Sequence, residues 1–220
     1  FSAGATAQSS ISNENASFDS DATIVISGNS GEGGNRYSGI TANGEDVNIT
    51  VVDGATLTIT NENSALTNVE CWYGVDSQAN SSLTFSGNTR LNLTGTSQIR
   101  GIRGNGGNIS FNGTLSVTAT STTNRVIGAE AGANNEYFAV GVKNGNLSNS
   151  EIRFYGSTTN ITAKSTGSRV LAVENFNSRG VIDFNADATT IIATNSSSAE
   201  SYTQGVLGYM STTNFNGNTS

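Results

Sequence analysis

Hydrophobic and polar residues alternate along this chain in short runs, and the runs recur. One segment reads apolar–x–Phe, then a small residue or Gly, then a polar residue, then apolar–x–apolar. Its clearest copies are Leu83-Thr84-Phe85-Ser86-Gly87-Asn88-Thr89-Arg90-Leu91-Asn92-Leu93 and Ile109-Ser110-Phe111-Asn112-Gly113-Thr114-Leu115-Ser116-Val117. Ile49 to Ile59 repeats the plan with Val51 in the Phe position. Phe18 to Ile26, Ile152 to Ala163 and Ile182 to Ala193 follow it. Phe215-Asn216-Gly217-Asn218 opens one more copy, which predicts a final rung without its third strand. A second element stands about ten residues before each Phe-type position, as solenoid units of fixed plan require. It is a Gly or Ala followed by an aliphatic: Gly39-Ile40, Gly74-Val75, Gly101-Ile102, Gly141-Val142, Ala172-Val173 and Gly205-Val206.

Alternation with period two over about five residues is the mark of a strand, and no sustained i, i+3, i+4 apolar stripe suggests a helix. β-Branched residues fill the strand positions. Gly, Asn and Asp fill the joints, where a positive φ is often required. The Phe-type anchors recur at intervals of roughly 26 to 43 residues, within the window of stacked repeats. Three short strands per unit predict one all-β domain over 1–220: a right-handed parallel β-helix, a solenoid of about seven rungs. An irregular or inserted loop is expected near 130–137, after the strand-like Arg125-Val126-Ile127-Gly128. The absence of Pro agrees, since Pro removes a ladder hydrogen bond.

Composition then limits the chemistry. With no His there is no Ser–His–Asp triad, no Cys–His dyad and no His-ligated zinc. Ten Lys and Arg against 17 Asp and Glu give a net charge of −7, so nucleic acid is not an expected partner. The single Cys71 permits no internal disulfide and reads as a small hydrophobe. No stretch is long enough to span a membrane, so membrane insertion by this segment is not expected. No signal peptide is recognisable. A chain that opens at Phe1 and stops within a rung reads as a processed or excised piece of a longer solenoid, or as one that another subunit caps.

Glu45-Asp46 and Asp19/Asp21 are close acidic pairs at joints; they read as solvated turn carboxylates or, less well, as a calcium site. No cofactor and no metal is expected. Gly31-Glu32-Gly33-Gly34 and Gly104-Asn105-Gly106-Gly107 lack a phosphate-loop pattern and read as flexible rung corners. Asn-x-Ser/Thr sequons such as Asn48-Ile49-Thr50 are numerous, as so Asn-, Ser- and Thr-rich a chain produces by chance. The third strand carries outward Thr in a ladder suited to ordering water, as an ice-binding face would, but broken by Arg90, Lys164 and Ile192. β-Propensity alone also explains it.

The pairs Asn35-Arg36, Asn124-Arg125 and Ser168-Arg169 each begin four residues before a Gly/Ala-aliphatic position or its equivalent, and Arg100 and Arg103 flank Gly101-Ile102. Together with nearby aromatics they give a candidate binding strip: Arg36, Tyr37, Trp72, Tyr73, Arg125, Arg169 and Tyr202. Arg, Tyr and Trp are what a binding hot spot is made of. They are equally what rings and guanidinium groups snorkelling at a solenoid corner are made of.

The tetrads Phe85-Ser86-Gly87-Asn88 and Phe215-Asn216-Gly217-Asn218 resemble the FxxN repeats of polymorphic outer-membrane proteins. The wider rhythm resembles autotransporter passenger domains, including vacuolating-cytotoxin-like repeats. Their companion GGAI motif is replaced here by Gly-Ile or Gly-Val. The resemblance implies secretion and display at the surface of a Gram-negative bacterium as an adhesin or cell-aggregation factor. The partners implied are a protein or glycan on a host or neighbouring cell, or self-association. Two other readings stay open: a filament subunit stacking head to tail, and a polysaccharide-cleaving β-helix enzyme. No residue is assigned to catalysis.

Overall fold

The protein is described by a computed structural model. It describes residues 6–7, 11–27, 35–62, 69–78, 80–96, 98–122, 126–131, 150–167, 169–176, 180–197, 202–209 and 211–220. The first turn holds β1 (Thr6–Ala7), β2 (Ile11–Ser12) and β3 (Ala16–Phe18). The second holds β4 (Ala22–Ile26), β5 (Asn35–Asn43) and β6 (Val47–Val51), and the third β7 (Thr56–Asn61), β8 (Val69–Gln78) and β9 (Ser82–Phe85). Then come β10 (Asn88–Gly95), β11 (Gln98–Asn105) and β12 (Asn108–Phe111), followed by β13 (Leu115–Ser121), β14 (Val126–Ala131) and β15 (Ser150–Phe154). β16 (Thr158–Ser165), β17 (Val170–Phe176) and β18 (Gly180–Phe184) precede β19 (Ala188–Asn195), β20 (Thr203–Tyr209) and β21 (Thr212–Phe215). β22 (Asn218–Thr219) begins an eighth turn.

Every third strand pairs in parallel with its counterpart one turn away. The first sheet runs β1-β4-β7-β10-β13-β16-β19-β22, the second β2-β5-β8-β11-β14-β17-β20, and the third β3-β6-β9-β12-β15-β18-β21. This is the parallel β-helix with three strands per turn that the alternation predicts. Strand amides and carbonyls that a lone turn would leave open are bonded to the turns above and below.

The core is a set of files running along the axis. Ile24, Ile59, Leu91, Val117 and Ile161 lie in register on the first sheet, each fully or almost fully buried. On the third sheet Phe85, Phe111, Phe154, Phe184 and Phe215 stack ring on ring, with centroids 4.6, 5.8, 4.8 and 4.8 Å apart. Burying one such side chain stabilises by roughly 1.5–3 kcal/mol. The Gly of the Gly-aliphatic element has a steric cause. A Cβ on Gly101 would lie 2.5 Å from Gly128 O and 2.5 Å from Val117 Cγ1. Gly therefore lets the second sheet press against the inner face of the first.

Side chains at the corners fasten one turn to the next. Thr56 N–H donates to Asp21 Oδ1 at 2.8 Å and Ser82 N–H to Asp46 Oδ1 at 2.8 Å. Asn48 N–H donates to Asn15 Oδ1, Thr114 N–H to Asn88 Oδ1 and Glu151 N–H to Asn108 Oδ1. Asn61 does more: its Oδ1 accepts from Thr94 N–H at 2.9 Å while its Nδ2 donates to Thr94 O at 2.8 Å. Asn13 and Asn80 hold positive φ at joints, as small polar residues can.

Four expectations change. Val51 pairs with Phe18, but Phe85 pairs with Ile49, so Val51 is not the Phe-file residue under Phe85. A slip of two residues keeps every side chain on its face, so alternation cannot detect it. The unit assigned to Gly141-Val142 is instead Gly128-Ala129, since Ala129 pairs with both Ile102 and Val173. Gly141 and Val142 lie outside the described residues, as do 132–137 of the expected loop and Gly31 to Gly34. The strand expected to be missing after Phe215 is begun, as β22 on the first sheet, through the Ala188–Asn218 and Thr189–Thr219 pairs. Finally, Asp21 and Asp46 are not merely solvated carboxylates, because each caps the next turn. The corner at Gly106 is likewise tied, its N–H donating to Ser150 Oγ at 2.7 Å.

Candidate functional site

The predicted strip does not form one surface. Arg36 is exposed on β5 and Tyr37 beside it is half-buried. Tyr37 stacks on Trp72, with ring centroids 5.2 Å apart, and Trp72 is wholly buried in the core. Tyr73 is buried as well. Arg169 and Tyr202 meet at a distant pair of turns, with the guanidinium 4.4 Å from the ring centroid, and Arg169 also approaches Glu174 at 3.9 Å. Tyr202 keeps its ring partly exposed and donates its hydroxyl to Gln204. Arg125 lies outside the described residues. So the structure joins Tyr37 with Trp72, and Arg169 with Tyr202, in separate places.

Tyr73 belongs to a cluster of charges that its neighbours in sequence do not announce. Residues on β8 and β11 stack in register: Tyr73 with Arg100, Val75 with Ile102 and Asp76 with Arg103. Ile99 and Ile102 enter the core, while Arg100 and Arg103 turn to the other face of the strand. Arg103 Nε donates to Asp76 Oδ1 at 2.7 Å and its second nitrogen to Asp76 Oδ2 at 2.6 Å. Gln78 Nε2 donates to the same carboxylate. Arg103 also lies 4.1 Å over the Tyr73 ring and donates to its hydroxyl oxygen at 3.1 Å. Arg100 donates to that oxygen at 3.4 Å. Burial, followed by the neighbouring Cys71, raises the pKa of Tyr73, and the two guanidinium groups pull the other way. At neutral pH Tyr73 is an uncharged acceptor between two cations. A two-pronged, buried Arg–carboxylate pair gives directional strength, and here it joins consecutive turns.

The partner Asp76 was missed in the sequence, although a signal existed. Aligning Gly74-Val75 on Gly101-Ile102 sets Asp76 directly over Arg103.

The outer face of the first sheet is different in kind. On β13, Leu115, Val117 and Ala119 are buried while Ser116, Thr118 and Thr120 are half-exposed between them. Register carries this pattern across turns, as in Thr60–Asn92–Thr118–Thr162. The Thr ladder is real but interrupted: Arg90 stands in file with Thr58 and Ser116, Lys164 with Thr120 and Thr194, and Ile192 with Thr162.

Among the described residues no group of His, Cys, Asp and Glu is placed to hold a metal ion. No helix there is long and apolar enough to cross a membrane. Comparison with protein-family models, with curated proteins and with solved structures finds no match to this chain.

Proposed function

We propose that this chain is part of a passenger displayed at the surface of a Gram-negative bacterium, where it serves adhesion or cell aggregation. In this reading the β-helix is a stiff support, and an outward face or its loops meet a protein or glycan of a host or neighbouring cell. The observation that carries the reading is the division of labour among polar residues. Charged and amide side chains such as Asp76, Arg103, Asp21, Asp46 and Asn61 fasten turn to turn. The first sheet meanwhile offers solvent a broad, repetitive face of Thr, Ser and Asn. A hydrogen-bonded stack with repeated, ordered outer faces suits presentation.

The test uses beads coated with the 220-residue chain, counted after washing on epithelial monolayers and on bacterial lawns. The expected result is adhesion that soluble chain competes away. Adhesion no greater than that of albumin-coated beads overturns the proposal. So does depolymerisation of a polyuronate by the purified chain, which would move it among the enzymes.

A further inference from the structure

The cations of this acidic chain differ in their surroundings. Arg103 pairs with Asp76, Arg153 with Glu151 and Asp183, and Arg169 with Glu174. Arg36 and Arg100 are also engaged. Arg90 and Lys164 are the two cations, among the described residues, that have no bonded or ionic partner. Both are exposed, and both stand on the outer face of the first sheet. No strand of that sheet contains an Asp or Glu, although the chain has 17 of them.

Register fixes their relation. Arg90 pairs with Ser116, and Ser116 with Asn160, which is four residues before Lys164 on the same strand. The two cations are thus two strands and four residues apart, about 16 Å on the diagonal at ~4.8 Å per strand and ~3.3 Å per residue. Thr118 lies at the midpoint, and Asn92 and Thr162 flank it in its own file. These side chains supply both donors and acceptors on one face of the sheet.

We infer that this face binds an acidic oligosaccharide laid across the strands, with anionic groups at Arg90 and Lys164 and sugar hydroxyls on Thr118 and its neighbours. This names the partner class for the adhesive reading and rests on that reading. Charge complementarity favours this occupant. A polyanion is repelled by the molecule as a whole, and least so by the one sheet whose strands hold no acid. Arg90 offers a planar fork suited to a carboxylate, and Lys164 a mobile point charge. A neutral ligand has no use for either. The residues that interrupt the Thr ladder are then its anchors.

The probe is polygalacturonate, with uncharged dextran as reference, measured against the whole chain and against Arg90→Thr, Lys164→Thr and the double variant. Thr suits an outward strand position, and circular dichroism with a melting curve checks that each variant folds. Polygalacturonate is expected to bind more tightly than dextran and to weaken with salt. Each single substitution should lower affinity about three- to fivefold, the upper part of the range for one exposed charge pair, and the double variant about tenfold or more. Equal binding of dextran, or a folded double variant that binds as well as the parent, overturns the inference. Self-association that the double variant abolishes also overturns it, in favour of a second copy on this face. The bead assay separates the two failures. Beads that adhere while polygalacturonate does not bind remove this face alone; beads that do not adhere remove the adhesive reading itself.

Discussion

Arg103 grips Asp76 of the preceding turn through two hydrogen bonds, at 2.7 and 2.6 Å, with both side chains buried. Replacing such a pair by apolar groups can be neutral, but removing one partner leaves a buried charge without its match. Asp76→Ala should therefore lower stability by about 3–5 kcal/mol. The exchange Asp76→Arg with Arg103→Asp should recover part of that loss. Denaturant unfolding of the two single variants and the exchanged pair measures the coupling. A loss below about 1 kcal/mol in Asp76→Ala would assign the pair no more weight than a surface contact.

Tyr73 makes stability depend on pH in the alkaline range. In the unfolded chain a tyrosine loses its proton near pH ~10. Burial raises the folded value, with Cys71 adding and the two arginines opposing. Above pH ~10 the folded chain therefore holds the proton that the unfolded chain has lost, and stability falls by up to about 1.4 kcal/mol per pH unit. The contribution is whole below that point. Urea midpoints from pH 8 to 11 should show this slope, and Tyr73→Phe should flatten it. A Tyr73→Phe protein with the parental slope would place the titration elsewhere.

The Gly file discriminates between positions that look alike in sequence. Gly101→Ala drives a methyl into Gly128 O and Val117, and overpacking of this kind costs about 1–3 kcal/mol. Gly205→Ala meets nothing nearer than Ile191 Cγ2 at 3.9 Å and should change stability by less than about 0.5 kcal/mol. Melting temperatures of the two variants, taken side by side, decide the matter. Equal losses would mean that the close approach of the sheets is not what selects Gly.

Asp46 separates a carboxylate that fastens from one that merely sits in water. Asp46→Asn keeps an acceptor for Ser82 N–H and should be nearly neutral. Asp46→Ala removes it and should cost about 1 kcal/mol. Chemical denaturation reads both. If Asn proved as harmful as Ala, the negative charge rather than the hydrogen bond would be responsible.

Most of the fold was legible because its cause is local and repeated. Leu83-Thr84-Phe85 and Ile109-Ser110-Phe111 read as strands from alternation, and the Phe file followed from their spacing. Register was less legible. Val51 and Ile49 point to the same side, so hydrophobic pattern cannot choose between them under Phe85. That choice falls to features such as Asp76–Arg103 and Asn61–Thr94, which exist only once turns are stacked. The Gly141-Val142 assignment went astray for a related reason: the dipeptide matched the motif, while Gly128-Ala129, which the stack uses, matches it less well. Site residues were legible by type and not by exposure. Trp72 and Tyr73 have the chemistry of a contact surface, but β8 is covered on both faces.

The most direct test of the adhesive account is gain of function on a living cell. The chain would be displayed on a non-adherent Gram-negative host, and adherence to epithelial cells and clumping in suspension would be counted against the same host displaying an unrelated rigid domain. The account predicts that display confers adherence or clumping and that added soluble chain inhibits it. Display confirmed by surface labelling, with neither adherence nor clumping above the reference, would contradict it.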